Sequence, residues 1–298
     1  MRILITGITG QVGGALIARL RNQDVIAADR SIIDLAQPKA IPTVLEQLNP
    51  ELIINAAAYT AVDQAEDHRE LAHVVNAVAP GVIAQWASAK GIPLIHFSTD
   101  YVFDGHGHVP WRENDATGPL SVYGQTKLDG ENAVRAAGGV SLIVRTSWVY
   151  SATGKNFLRT IARLARERAQ LRIVDDQIGA PTSAVLIADC LARMLEGTIE
   201  SIRNRCAQSN GIVHLAASGE TSWHGFACAI VEGLRGRGVS LVVEKIFKIR
   251  TAEYPTPAKR PQNSRLDLTR LHQVFKIAPA HWRDALDTEL DALAEELR

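Results

Sequence analysis

The sequence predicts a doubly wound α/β fold: a Rossmann-like parallel sheet joined to a smaller C-terminal α/β lobe. Three observations predict it. Short, continuous apolar runs alternate with helix-length stretches through the first half, the pattern of parallel strands covered by helices on both faces. A glycine-rich turn, "TGITGQVGG" at 6–14, lies between the first apolar run and the first helical stretch. The alternation loosens after about residue 150, where a second unit would begin.

Each element follows in order. "RILIT" (2–6) is rich in β-formers and short enough for a buried strand, and 13–21 reads as a helix. "VIAAD" (25–29) is a second strand. The stretch 41–48 is helical, with Pro42 tolerated in its first turn because no partner for its missing amide is needed there. "LIINAAA" (52–58) is a third strand, 65–89 a longer helix, and "PLIHFST" (93–99) a fourth strand. A helix at 122–137 and a strand at "SLIVRTS" (141–147) complete a dinucleotide-binding domain over 1–150, wound by right-handed crossovers. The remainder, 151–298, reads mainly as a substrate-binding lobe. It has helices at 155–169, 183–196 and 222–236, and "LRIVDDQIGAPT" (171–182) runs from a strand into a turn-rich loop. "GIVHLAA" (211–217) is a strand that returns to the first domain's sheet, and 239–247 is β-rich. "YPTPAKRPQNS" (254–264) carries three prolines and is loop, and the C-terminal end is helical.

Composition narrows the function. The 298 residues are 46% hydrophobic and 21% charged, ordinary for a globular protein with a large core. Lys plus Arg and Asp plus Glu are 32 each, so the basic footprint of a nucleic-acid binder is absent. Cys190, Cys206 and Cys228 are odd in number and show no C-x-x-C spacing, which argues against a disulfide framework or a zinc site. His106 and His108 lie in a Gly-containing loop and read as solvated rather than metal-bound. The apolar run at 3–5 is too short for a secretory signal core, and no run of ~18 apolar residues occurs, so no membrane is expected and the location is read as cytoplasmic.

The glycine turn points to a dinucleotide. Gly7, Gly10 and Gly13 are spaced G-x-x-G-x-x-G, one residue longer in the first interval than the familiar fingerprint. The demands are similar: a tight turn at Gly7, close backbone approach at Gly10, and helix–strand packing at Gly13. Gln11 and Val12 open a helix whose free N–H groups would face the phosphates. Asp29, 22 residues after Gly7, suits an adenosine ribose hydroxyl. Arg30 suits a 2′-phosphate, so NADPH and NADH both stay open. Asp34 and Leu35 begin the next loop and would flank the adenine. Further on, "YGQTK" (123–127) places Tyr123 and Lys127 one helical turn apart on one face, a spacing that an ordinary surface helix also produces.

The glycine turn, "NAAA" (55–58), "STDYVFDG" (98–105) and the Y-x-x-x-K pair occur in that order, and together the chain resembles the extended short-chain dehydrogenase/reductase family. "NAAAYTAVDQAE" (55–66), "PLSVYGQTKLDGE" (119–131), "RTSWVY" (145–150), "DQIGAPT" (176–182) and "RPQNSRL" (260–266) extend the resemblance nearly end to end. They are similar to the branch that reduces the C4 ketone of dTDP-4-dehydro-L-rhamnose, a nucleotide sugar. The resemblance implies hydride from NADPH or NADH and a proton from Tyr123 as general acid. A phenol ordinarily titrates near ~10, and the Lys127 charge would lower that value. By the same resemblance Lys127 holds the nicotinamide ribose, Thr99 orients the ketone, and Ala58, Tyr59 and Thr60 line the cofactor. Asp100 is a candidate sugar contact, and Trp148 can pack on a sugar face. Arg260 and Asn263, beside Ser264, would bind the nucleotide sugar, the arginine fork suiting a diphosphate. Magnesium is a family association; the first helix has no acid between Gly13 and Arg21, so no metal is expected there. A homodimer is compatible with the sequence, which does not set the oligomeric state.

Two other readings compete. Related nucleotide-sugar epimerases and dehydratases share these motifs, but the dehydratases usually carry Asp-Glu after the threonine, where this chain has Asp100 and Tyr101. A non-catalytic regulatory subunit resembling that of methionine adenosyltransferase is the other, and the intact Thr99, Tyr123 and Lys127 set argues against it.

Overall fold

Five parallel strands form in the predicted order, and a sixth joins them from far along the chain. The computed structural model describes residues 1–297. Its main sheet contains β1 (Arg2–Thr6), β2 (Asp24–Ala28), β3 (Leu52–Asn55), β4 (Leu94–Thr99) and β5 (Ser141–Thr146). The sheet order is Ile212–His214, β5, β4, β3, β1, β2, all parallel. The chain winds outward from β1 to β2, then crosses to β3 on the other side of β1. That reversal opens a crevice beyond the carboxyl ends of β1 and β3, where open α/β sheets bind ligands.

Alternating residues of the strands supply two cores. Ile3, Ile5, Leu52 and Ile54 face α1 (Gln11–Arg19) and the helix Ala184–Met194, meeting Leu16, Ile187 and Leu191. Leu4, Ile53 and Ile143 face the other way, toward Leu45 of α2 (Ile41–Leu48), Ile83 and Val134. A third core, around Tyr150, Ile161, Phe226, Ile230, Trp282 and Leu290, belongs to the C-terminal lobe. That lobe includes helices Phe157–Glu167 and Trp223–Gly236 and the terminal helix Trp282–Leu297.

Several elements differ from expectation. The helix expected at 65–89 is a 3₁₀ turn (Gln64–Glu66), α3 (Arg69–His73), a π-helical turn (Val74–Val78) and α4 (Ala79–Lys90). Pro80 has no N–H to give the Asn76 carbonyl, so the ladder widens there. The Asn76 carbonyl instead points at Gly130 of α5 (Val122–Ala136), where any Cβ would collide with it. The third strand stops at Asn55 rather than 58, freeing 56–58 for the crevice. The β-rich run 239–247 yields a strand only at Lys245–Ile249, paired with Gln170–Val174; Val239 and Val243 enter the lobe core as irregular chain. Helix Ile199–Gln208 was not foreseen, because it buries only Ile202 and Cys206 and has almost no apolar stripe. Cys190, Cys206 and Cys228 are free thiols, and burial pushes Cys190 and Cys206 up to about 11. Among the described residues no helix is long and apolar enough to cross a membrane.

Candidate active site

A cavity of about 630 Å³ opens at the carboxyl ends of the central strands. Its floor is the glycine turn. Gly7 has φ +70°, the left-handed region that side chains avoid, and a Cβ there would lie 2.6 Å from the Ala57 amide nitrogen. Gly10 caps α1, and Gln11 and Val12 present the helix N-terminus to the cavity. Gly13 does not line the cavity; it is buried against the Gly7 and Ile8 backbone. Gln11 Oε1 accepts a hydrogen bond from Asn156 Nδ2 at 2.8 Å, tying the C-terminal lobe to the turn.

Asp29, Arg30, Asp34 and Leu35 form one rim. The Asp29 carboxylate accepts from the Ser31 hydroxyl (2.6 Å) and amide (2.8 Å), which hold it below its ordinary range. Arg30 Nε lies 3.2 Å from Asp34 Oδ1. Ala58, Tyr59 and Thr60 form the wall beyond β3. Asn76 fixes that wall: its Oδ1 accepts from the Tyr59 amide (2.8 Å), and its Nδ2 donates to the Tyr59 carbonyl and Thr126 Oγ1 (both 3.1 Å). Sequence reading missed Asn76; the available signal was Pro80, four residues on.

Thr99, Tyr123 and Lys127 converge at the polar end of the cavity. Ser121 caps α5, its Oγ accepting from the Gly124 amide at 3.2 Å. Gly124 packs against the Tyr101 carbonyl, leaving no room for a Cβ and holding α5 against the end of β4. Burial pushes the Tyr123 phenol up to about 12, a Thr99 hydrogen bond pulls it down, and the charge of Asp100 adds to the rise. Burial pushes Lys127 down to about 8 against the attraction of Glu131. Lys127 Nζ donates to the Phe97 carbonyl at 2.7 Å. The expected lowering of Tyr123 by Lys127 is not found: the lowering comes from Thr99, burial outweighs it, and the lysine's own charged form is disfavoured. Burial also raises Asp100, to about 7, against the Thr99 hydroxyl, which donates to Asp100 Oδ1 at 3.2 Å.

Trp148 lines the cavity in a left-handed conformation, φ +48°. It is held by a stack on Trp223, centroids 3.6 Å apart, and by Gly179, whose Cβ would sit 2.6 Å from its ring. Trp223 also lines the cavity and donates from Nε1 to Gln177 Oε1 at 3.1 Å. It escaped sequence reading because a lone tryptophan opening a helix looks like core.

Two expected residues lie elsewhere. Arg260 borders a second hollow of about 370 Å³ with Asp104, Tyr254, Lys259 and Gln262. Its guanidinium pairs with Asp63 at 2.7 Å. Asn263 lines neither hollow. Its Nδ2 donates to the Val109 carbonyl and its Oδ1 accepts from Arg265 Nε, both at 2.8 Å, so its amide is committed to holding the loop at 106–109. Among the described residues no group of three or more His, Cys, Asp or Glu side chains is placed to hold a metal, so the magnesium association finds no donor set of that kind.

Known proteins share this architecture. The profile of the family described as RmlD substrate binding domain matches residues 1–295. The dTDP-4-dehydrorhamnose reductase of Escherichia coli K12 is 42% identical over 98% of each chain. That of Burkholderia thailandensis is 45% identical over 96% of this chain and 97% of its own. The crystal structure of dTDP-4-dehydrorhamnose reductase from Bacillus anthracis in complex with NADP superposes with a TM-score of 0.88, at 30% identity, over 98% of this chain and 99% of its own.

Proposed function

We infer the reaction from one premise: the chain belongs to the RmlD substrate binding domain family. It is an NAD(P)H-dependent oxidoreductase that reduces the C4 ketone of dTDP-4-dehydro-L-rhamnose to give dTDP-L-rhamnose, in dTDP-rhamnose biosynthesis. The observation that carries this for the chain's own residues is the convergence of Thr99, Tyr123 and Lys127 in the cavity that the glycine turn floors.

The turn fits a nicotinamide dinucleotide, since the α1 N-terminus faces the cavity and the backbone at Gly7 admits no side chain. When bound, the nicotinamide supplies the hydride. Gly7, Gly10, Gln11 and Val12 are assigned to the pyrophosphate, and Asp29, Arg30, Asp34 and Leu35 to the adenosine end. With Asp29 engaged by Ser31 and Arg30 exposed on the same rim, the site accepts both NADPH and NADH. Ala58, Tyr59 and Thr60 form the wall, and Lys127 holds the nicotinamide ribose. Tyr123 gives its phenolic proton to the ketone oxygen as that oxygen becomes a hydroxyl. Thr99 holds the same oxygen and favours the phenolate left behind. A phenol raised by burial holds its proton until negative charge develops on the substrate, which suits an acid rather than a base. Asp100 and the Trp148 ring contact the sugar. The second hollow, with Lys259 and Arg260, takes the nucleotide diphosphate.

The test is the reduced-nicotinamide absorbance when purified protein meets dTDP-4-dehydro-L-rhamnose. One cofactor oxidised per sugar reduced is expected. Sugar conversion with no net cofactor oxidation would point to an epimerase, and no conversion at all to a binding protein.

A further inference from the structure

Thr6, Asn55 and His96 form a polar row across an otherwise apolar sheet. Register sets them side by side, Thr6 beside Asn55 on β1 and β3, and Asn55 beside His96 on β3 and β4. Each is at most 1% exposed. Thr6 Oγ1 donates to Asn55 Oδ1 at 2.6 Å, and Asn55 Nδ2 lies 3.1 Å from His96 Nδ1. His96 Nε2 lies 3.4 Å from Lys127 Nζ. At the other end the Ala57 amide donates to Thr6 Oγ1 at 3.3 Å, and Ala57 is the residue against which Gly7 is packed. Polar groups buried this deeply destabilise unless every one is paired, and apolar residues would hold the sheet at least as well. The row needs another reason to exist.

We propose that the row is a positioning device for Lys127, with His96 as the contact residue and Asn55 and Thr6 fixing the imidazole. This rests on the reading of Lys127 as a catalytic residue. Burial and the adjacent lysine keep His96 neutral, so its ring carries one proton. With Nζ as an amine, hydrogen bonds run from Thr6 through Asn55 and His96 to the lysine. With Nζ as an ammonium, Nε2 must accept. The lysine then has one proton more, the imidazole's own proton moves from Nε2 to Nδ1, and the Asn55 amide turns over. His96, Asn55 and Lys127 stay paired in both arrangements, with Thr6 Oγ1 turning from donor to acceptor toward Asn55, so the row offers the charged lysine an acceptor. The other charged or titratable groups around it are Glu131 of α5, itself paired with Arg145 of β5, and Asp100 and Tyr123 at the cavity.

The test is the pH profile of kcat, with cofactor KM, for the parent, His96→Leu, His96→Gln, Asn55→Ala and Lys127→Met. Loss of the acceptor makes the ammonium costlier. The alkaline limb should therefore fall by about one pH unit in His96→Leu, a tenfold change in the lysine's proton affinity. Asn55→Ala should shift it the same way by less, and His96→Gln, which can still accept, should restore most of it. Should His96→Leu not fold, the Asn55→Ala and His96→Gln profiles decide the matter. An unmoved limb in folded Asn55→Ala and His96→Leu, or in Asn55→Ala alone where the other does not fold, with only a lower Tm, overturns the proposal. Full turnover by Lys127→Met would overturn the underlying reading of the lysine, and the row's role with it.

Discussion

Replacing Gly13 with alanine should cripple cofactor binding, whereas the same change at Gly14 should not. A Cβ at Gly13 would lie 2.6 Å from the Gly7 carbonyl carbon and 2.9 Å from Ile8 Cα, and closer still to the Gly7 oxygen. At Gly14 it would lie 3.4 Å from the Ile8 oxygen, an ordinary contact. Reaching that ordinary separation at Gly13 requires the turn to move relative to α1 by more than 0.8 Å, the shortfall at the Gly7 carbonyl carbon alone. The atoms in the way are backbone, so no side chain can swing aside. Overpacking of this kind costs about 1–3 kcal/mol, which for a chain of this length lowers Tm by about 2–5 °C. The larger effect is on the site, because misplacing a binding group by ~1 Å can cost ~100-fold. The KM for NADPH in Gly13→Ala should therefore rise about 10- to 100-fold, with a smaller loss in kcat. Gly14→Ala should leave KM alone and stabilise the helix by about 0.5–1 kcal/mol. Steady-state cofactor titration at saturating nucleotide sugar, with thermal melts of all three proteins, gives the answer. Parental NADPH affinity in Gly13→Ala, or equal losses in both variants, would refute the reasoning.

Other expectations follow from the same geometry. Tyr123→Phe should lose about 10²- to 10⁴-fold in kcat while cofactor affinity holds, and Lys127→Ala should impair both; near-normal turnover by Tyr123→Phe would reduce the pair to a helical turn. Trp223→Leu removes a ring stack worth about 0.5–1.5 kcal/mol and frees the strained Trp148, so the KM for the nucleotide sugar should rise by up to about tenfold; an unchanged KM would detach Trp148's posture from substrate binding. Asp100 is raised from 3.8 to about 7 by burial, so the folded state keeps its proton where the unfolded state has lost it. The stability this gives is fullest below pH 3.8 and is lost as pH rises through about 7. Melting curves of Asp100→Asn and the parent should diverge in the variant's favour across that window; parallel curves would contradict it. Glu131→Gln breaks a buried pair that Arg145 makes at 2.8 and 2.6 Å. Stranding a buried guanidinium costs about 3–5 kcal/mol, readable as a lower urea midpoint, and an unchanged midpoint would mean that water rescues the arginine.

Residues close together in the chain are the ones whose placement can be read from it. Gly7 and Gly10 are legible because turn, strand end and helix start are contiguous, and Tyr123 and Lys127 because one helical turn joins them. Residues whose partners come from elsewhere are not. Arg260 and Asn263 stand three apart in one proline-rich loop. With no periodicity to sort them, nothing local separates the arginine at a hollow's edge from the asparagine consumed by the loop at 106–109. Trp148 was placed correctly at a strand end, yet its posture depends on Gly179 and Trp223.

His96 shows where the boundary falls. A lone histidine inside "PLIHFST", a strand expected to be buried on both faces, is an anomaly visible in the sequence. So is the asparagine that ends "LIIN". Neither says which residue it meets, because parallel strands find their neighbours through crossovers tens of residues long, and a one-residue slip would turn every side chain to the opposite face. Only the register puts Thr6, Asn55 and His96 in one row on the face that Lys127 reaches. The anomaly marks a polar group inside an apolar core, and the register is what sets it 3.4 Å from the lysine.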